Sequence, residues 1–211
     1  TVAFAADGSA WFAWESHGQD GSGSSVVARK FENVGGKFVA AGAEIAVNHQ
    51  RQDDQAMPVL ATNQNGDVLA VFADQLPADE FGVARFELRA RSLATAANAQ
   101  GVAANTFASP NGNADAIVSV DSNGTSDIAI STPGIGSDML PSVTNLSDGS
   151  FLVTWARSHA NDQSGIWARQ LNADGTIHGA EFRLSTNPTA IEPSIDSLPN
   201  GEFVATWVVE H

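Results

Sequence analysis

The sequence predicts an all-β protein built from repeats, and three observations carry that expectation. One phrase recurs: residues 1–14 read TVAFAADGSAWFAW, residues 142–155 read SVTNLSDGSFLVTW and residues 194–207 read SIDSLPNGEFVATW, with a looser copy from Val59 through Asn65-Gly66 to Phe72. In each full copy a β-branched residue, a Gly six positions later and a Trp six beyond that keep fixed register, the mark of one supersecondary unit stacked on copies of itself. Period-two alternation and 19 Gly residues, many in Asn-Gly or Asp-Gly turns, leave little room for helices. Finally, each unit holds four short strands in about 50 to 58 residues, the size of a β-propeller blade. The expected architecture is therefore a β-propeller or propeller fragment.

Each element has a local reason. A first strand leads to Ser147-Asp148-Gly149, where Gly permits positive φ and Asp suits the turn, and the second strand then alternates Phe151, Val153 and Trp155 with Ser150, Leu152 and Thr154. The third strand carries an Ala-Arg pair between apolar residues in Val26–Phe31, Leu88–Leu93 and Ile166–Leu171. Turns at Val34-Gly35-Gly36 and Ala173-Asp174-Gly175 precede a short fourth strand, Glu44–Val47 or Glu181–Leu184. Trp14, Trp155 and Trp207 should share one largely buried position, and Arg29, Arg91 and Arg169 should satisfy backbone carbonyls or carboxylates between units.

Spacing divides the single repeat domain 1–211 into units of about 1–48, 57–108, 139–187 and an incomplete 192–211. Between Gly66 and Gly149 lie 83 positions (149 − 66), too many for one unit and too few for two. A degraded copy at 115–138, with Gly124 as its turn, marks a half-blade, an insertion or a change of phase. The final unit stops after its second strand, which suggests a piece cut from a longer parent chain with other domains.

Composition narrows the function classes. With 24 Asp plus Glu against 10 Lys plus Arg, the net charge of −14 repels nucleic-acid phosphate and anionic lipid. No run is apolar and long enough for membrane insertion, and the absence of Cys removes thiol chemistry and disulfides. No G-x-S-x-G, H-E-x-x-H or P-loop pattern occurs. An extracellular or cell-surface location in a bacterium fits an acidic chain without Cys, with a glycan or protein as the unidentified partner.

Several constellations can carry chemistry. Trp11 and Trp167 can act as sugar-stacking platforms. The loops after Trp14 and Trp155 place His17 three residues before Asp20 and His159 three before Asp162, polar groups able to hold a ligand or metal on one rim. Solvated turn residues would look the same. Asp53-Asp54, Asp74 and Asp79-Glu80 are carboxylates of the kind glycoside cleavage uses, though no spacing fixes their separation. Asp121, Asn123 and Asp127, with Gly124 between them, resemble the calcium loops of integrin-type FG-GAP repeats. Oxygen ligands on a tight loop suit Ca²⁺, but Thr125 stands where an acid is expected, and a turn stabilised by Asx side chains reads alike.

From Pro141 to Thr186 the order P-S-V-x-x-L-x-D-G-S-F-L-V-T-W, G-I-W-A-R-Q-L-N-A-D-G-T and G-A-E-F-R-L-S-T resembles the repeats of very large secreted bacterial proteins of the RTX and adhesin kind. That resemblance implies an extracellular propeller-like module and transfers no catalytic residue. The leading expectation is a non-catalytic binding or spacer module. The alternatives are a lectin-type carbohydrate-binding propeller and a polysaccharide hydrolase or lyase.

Overall fold

A computed structural model describes residues 1–19, 21–49, 52–94, 104–106, 118–120, 127–132, 136–159 and 163–210. It is an all-β propeller-like stack in which every paired strand is antiparallel. The first sheet orders β1 (Val2–Phe4), β2 (Ala10–His17), β3 (Ser24–Val34) and β4 (Lys37–Ala40), with β5 (Ile45–Ala46) also pairing β3. The second runs β6 (Gln55–Thr62), β7 (Val68–Leu76), β8 (Arg85–Ala94) and, outermost, β11 (Ile128–Ala129). β9 (Ala104–Thr106) and β10 (Val118–Val120) form a separate two-stranded ladder. The third sheet is β12 (Ser137–Asn145), β13 (Phe151–Ser158), β14 (Gly165–Leu171) and β15 (Phe182–Ser185); the fourth is β16 (Ala190–Ser197) with β17 (Phe203–Val209). Among the described residues no helix is long and apolar enough to cross a membrane.

The irregular spacing has a topological cause. Because β11 pairs with β8, the long stretch after β8 interrupts the second sheet between its third and fourth strands. Of the three readings of that gap, an insertion matches the observed pairing.

Turn chemistry repeats with the phrase. Gly149, at φ 85°, closes the β12–β13 hairpin by donating to Leu146 O, and Asp148 Oδ1 accepts from Ser150 N at 2.9 Å. Adjacent turns also touch: Asn63 Nδ2 donates to Gly149 O, so the hairpins of the second and third sheets are tied side by side.

The core lies between sheets. One cluster joins Trp11, Ala13, Val26 and Ala28 of the first sheet to Val68, Ala70 and Phe72 of the second. Another joins Leu69, Val71 and Leu88 of the second to Phe151, Val153 and Trp155 of the third. Thus alternate residues of β7 face the first and third sheets, which turns period-two patterning into a stack.

Equal burial of the three repeated Trp residues does not hold. Trp155 is fully buried, Trp14 is half-buried and Trp207 is 36% exposed. Trp155 faces the second sheet and pairs laterally with Trp167 on β14. Trp14 faces the side of the first sheet opposite its contacts with the second. Trp207 has β16 on one flank and, among the described residues, no strand on the other.

Candidate functional site

The three inner strands β6, β12 and β16 are each broken by a bulge at the same place. Register slips between Ala56 and Val59, between Met139 and Ser142, and between Ile191 and Ser194. At each slip a non-glycine residue takes a left-handed backbone and is followed by proline: Met57-Pro58 (φ 55°), Leu140-Pro141 (φ 54°) and Glu192-Pro193 (φ 51°). Proline lacks the N–H a ladder needs, so a bulge is where a strand tolerates it, and a left-handed L-residue is a local cost that recurs where geometry matters. The three bulges, with Val59, line one open surface pocket of about 370 Å³.

The bulges lie toward the end of the sheets where second and third strands join. Gln55 pairs with Asp74, and the hairpin beyond closes at Leu76 and Arg85; likewise Ser137 pairs with Ser158 near the β13–β14 turn. Glu192 is exposed and is the one carboxylate among the lining residues; Glu15 Oε1 accepts from Met57 N at 2.8 Å and so ties the first sheet to the β6 bulge.

Ion clusters brace this rim. Arg157 donates Nε to Asp138 Oδ1 at 2.7 Å, Nη2 to Asp138 Oδ2 at 3.0 Å and Nη1 to Glu181 Oε1 at 2.7 Å. Its guanidinium also lies 4.6 Å from the Trp167 ring centre. Burial disfavours the cation, but these carboxylates outweigh burial and raise its pKa. Burial likewise pushes Glu181 up, and the Arg157 hydrogen bonds and charge reverse that, leaving its carboxyl below the usual range. In the second sheet Asp74, at the position matching Arg157, pairs with Arg89 at 2.6 Å and accepts from Gln55 Nε2 at 3.1 Å. Burial dominates there and raises the Asp74 carboxyl despite Arg89.

The residues singled out from sequence fare unevenly. Trp11 is buried core and offers no sugar platform. Trp167 is half-buried, covered by Arg157 and Arg183, and donates Nε1 to Gln163 O. His17 is exposed with Nδ1 2.8 Å from Ser24 Oγ, and His159 N donates to Ser164 Oγ at 2.8 Å; both stand at the ends of second strands. Asp20, Asp162, Asp121 and Asn123 lie outside the described residues. Asp127 is buried, accepts from His49 N, and stands 3.9 Å from the Arg91 guanidinium, an arrangement that suits an anion-to-cation brace more than a cation ligand. Among the described residues no three His, Asp or Glu converge to hold a metal.

Two features escaped the sequence reading. The bulge prolines precede the turn Gly by a fixed eight positions (66 − 58, 149 − 141, 201 − 193), a repeat visible in the sequence. Phe81 is 82% exposed at the β7–β8 tip on this rim. Its loop is pinned by Asp79, whose Oδ1 accepts from Phe81 N and Val83 N, both at 3.0 Å. Those backbone donors and Arg85 hold the Asp79 carboxyl below its usual range. A buttressed loop presenting an aromatic ring is a contact point more than a slack turn.

No protein-family model and no curated protein sequence matches the chain. Among solved structures, it is similar to an alpha-L-arabinanase from Penicillium chrysogenum complexed with arabinobiose: TM-score 0.53, 12% identity, covering 94% of this chain and 53% of that one. The chain thus spans about half the length of that enzyme. A protein of unknown function from Dyadobacter fermentans aligns over 100% of this chain and 89% of its own at TM-score 0.36 and 12% identity. The arabinanase likeness shows a propeller-like fold.

Proposed function

We propose that the chain is a binding module of a secreted bacterial surface protein and takes a neutral glycan at the open pocket lined by the three bulges. The convergence of three equivalent bulges on one cavity carries this reading, since independent left-handed residues are costly to keep three times over. The walls suit a sugar: Met57, Pro58, Pro141 and Pro193 offer C–H surface to a ring face, while Glu192 accepts from hydroxyls. Phe81 adds a platform on the same rim. The net charge of −14 selects against polyanionic glycans.

A second reading, a polysaccharide hydrolase, draws on the likeness to the arabinanase fold and on the Glu192 carboxylate that lines the pocket. A glycan array that includes arabinan oligosaccharides, followed by titration calorimetry of hits, tests the binding reading. Saturable binding that Glu192→Ala and Phe81→Ala weaken supports it, and binding that neither variant alters removes the cavity as the site. Release of reducing ends from a bound polysaccharide, abolished in Glu192→Gln, would move the assignment to the hydrolase.

A further inference from the structure

The turns between first and second strands, together with the turn at Gly175, share one device with a single exception. The residue before the turn glycine accepts through Oδ1 from the N–H two positions on: Asp7 from Ser9 at 2.8 Å, Asp148 from Ser150 at 2.9 Å, Asp174 from Thr176 at 2.9 Å and Asn200 from Glu202 at 3.1 Å. Asn65 stands at the same place before Gly66 but is relieved of that role, because Asn63 Oδ1 accepts from both Asn65 N and Asp67 N at 3.0 Å. The Asn65 side chain is exposed and makes no hydrogen bond to the described residues. Its carboxamide rests against Gly149 of the third-sheet turn, where an added Cβ would come within 2.9 Å of Nδ2.

Asn65-Gly66 and Asn200-Gly201 are therefore the same dipeptide in the same turn under different restraint. Asn200 is held at both ends of its carboxamide, since Nδ2 also donates to Glu202 Oε2 at 2.8 Å. The nitrogens that follow are engaged alike: Gly66 N donates to Asn63 O at 3.1 Å, and Gly201 N to Leu198 O at 3.0 Å. Glycine has no Cβ to hinder approach to its own nitrogen, and a carboxamide without hydrogen bonds turns toward that nitrogen at no such cost.

We propose that Asn65 is a self-modification site at which the side-chain amide is lost and the turn is rebuilt. Gly66 N attacks Asn65 Cγ and gives its proton to water, the Cγ–Nδ2 bond breaks, the nitrogen leaves as ammonia, and a cyclic imide remains. Water then opens the ring at Cγ to leave aspartate, or at the main-chain carbonyl to leave isoaspartate; no other co-reactant is needed. Aspartate is the residue that the sister turns already carry at Asp7 and Asp148. Isoaspartate instead lengthens the backbone beside Asn63 and Gln64, whose side chains donate to Gly149 O and Ser147 O and so tie the second-sheet hairpin to the third. Conversion slackens this tie as the protein ages.

The test incubates the folded full chain in warm neutral buffer and follows the mass of tryptic peptides 52–85 and 184–211, which separate Asn65 and Asn200 from each other and from the Asn-Gly pairs at 111 and 123, outside the described residues. Acid product should form at Asn65 about tenfold faster than at Asn200, the ratio for one net hydrogen bond, and the two rates should converge in urea, where neither side chain is held. The aged parent should melt about 2–4 °C below an equally aged Asn65→Gln variant. Equal rates at the two sites in the folded chain, or faster conversion at Asn200, would overturn the proposal. Conversion at Asn65 with no fall in melting temperature would overturn its link to the contact between sheets.

Discussion

The third and fourth sheets carry the same phrase with different fates. Trp155 and Trp207 each stand six residues after a turn glycine, on strands of the same alternation, yet one is fully buried and the other is 36% exposed. Phe203 and Phe151 repeat the contrast. Local sequence sets which face of the strand a side chain takes, whereas burial is set by the strand alongside and the sheet opposite. A repeat unit cannot bury its own apolar face, which is why stacking units are read as pairs of neighbours and not as isolated hairpins.

The largest expected effect follows directly. Trp155→Ala removes a ring packed among Ala73, Leu88 and Ala90 of the second-sheet cluster and should cost roughly 3–5 kcal/mol in denaturant unfolding. Trp207→Ala removes a partly solvated ring and should cost well under half as much. Equal losses would break the comparison.

A middle-sized effect separates arginines that link units from one that does not. Arg29, Arg91 and Arg169 all donate to backbone carbonyls, but Arg29 bonds Gly42 O within its own unit while the other two bridge to the preceding one. Arg169→Met should cost about 1.5–3 kcal/mol, the range for a charged hydrogen bond at a partly buried site. Arg29→Met, at an exposed bond, should cost less than about 1 kcal/mol. Matching losses measured by urea titration would mean that the bridge between units adds nothing.

Acid should distinguish the second sheet from the third. Glu181 has its carboxyl lowered in the fold relative to 4.5, so its contribution with Arg157 is present above that pH and is lost as pH falls through the folded value. Asp74 at the matching position of Arg157 is raised by burial, so the fold holds its proton more tightly and acidification relieves a penalty there. Glu181→Gln should therefore flatten the fall in melting temperature below about pH 4.5, while Asp74→Asn should steepen it. Identical acid limbs in parent and Glu181→Gln would remove Glu181 from the account.

Much of the fold was legible because turn chemistry and period-two alternation are local: Asp148-Gly149 and the Phe151, Val153, Trp155 series specify a hairpin and its faces without outside help. The arginine positions were legible for a related reason, since a cation alternating with apolar residues must find an acceptor. The bulge pocket is not legible in the sequence, although Pro58, Pro141 and Pro193 keep constant spacing, because a proline in a strand signals a bulge only once its neighbours are known to pair. The sequence leaves Trp11 and Trp167 open as platforms in the lectin alternative, because exposure depends on sheets and cations, Arg157 among them, that come from distant residues. Phe81 sat within an acidic loop and carried no periodic signal at all.

The central claim is that neighbouring strands and sheets decide the burial of a repeated residue, and indole N–H exchange in ¹⁵N-labelled protein tests it most directly. Five Trp side chains give five resonances, assignable by single Trp→Phe variants. The account predicts the slowest exchange at Trp155, the fastest at Trp207 and an intermediate rate at Trp14. Equal protection of Trp155 and Trp207 would contradict it, because the two would then be buried alike by their shared phrase and not by what lies beside them.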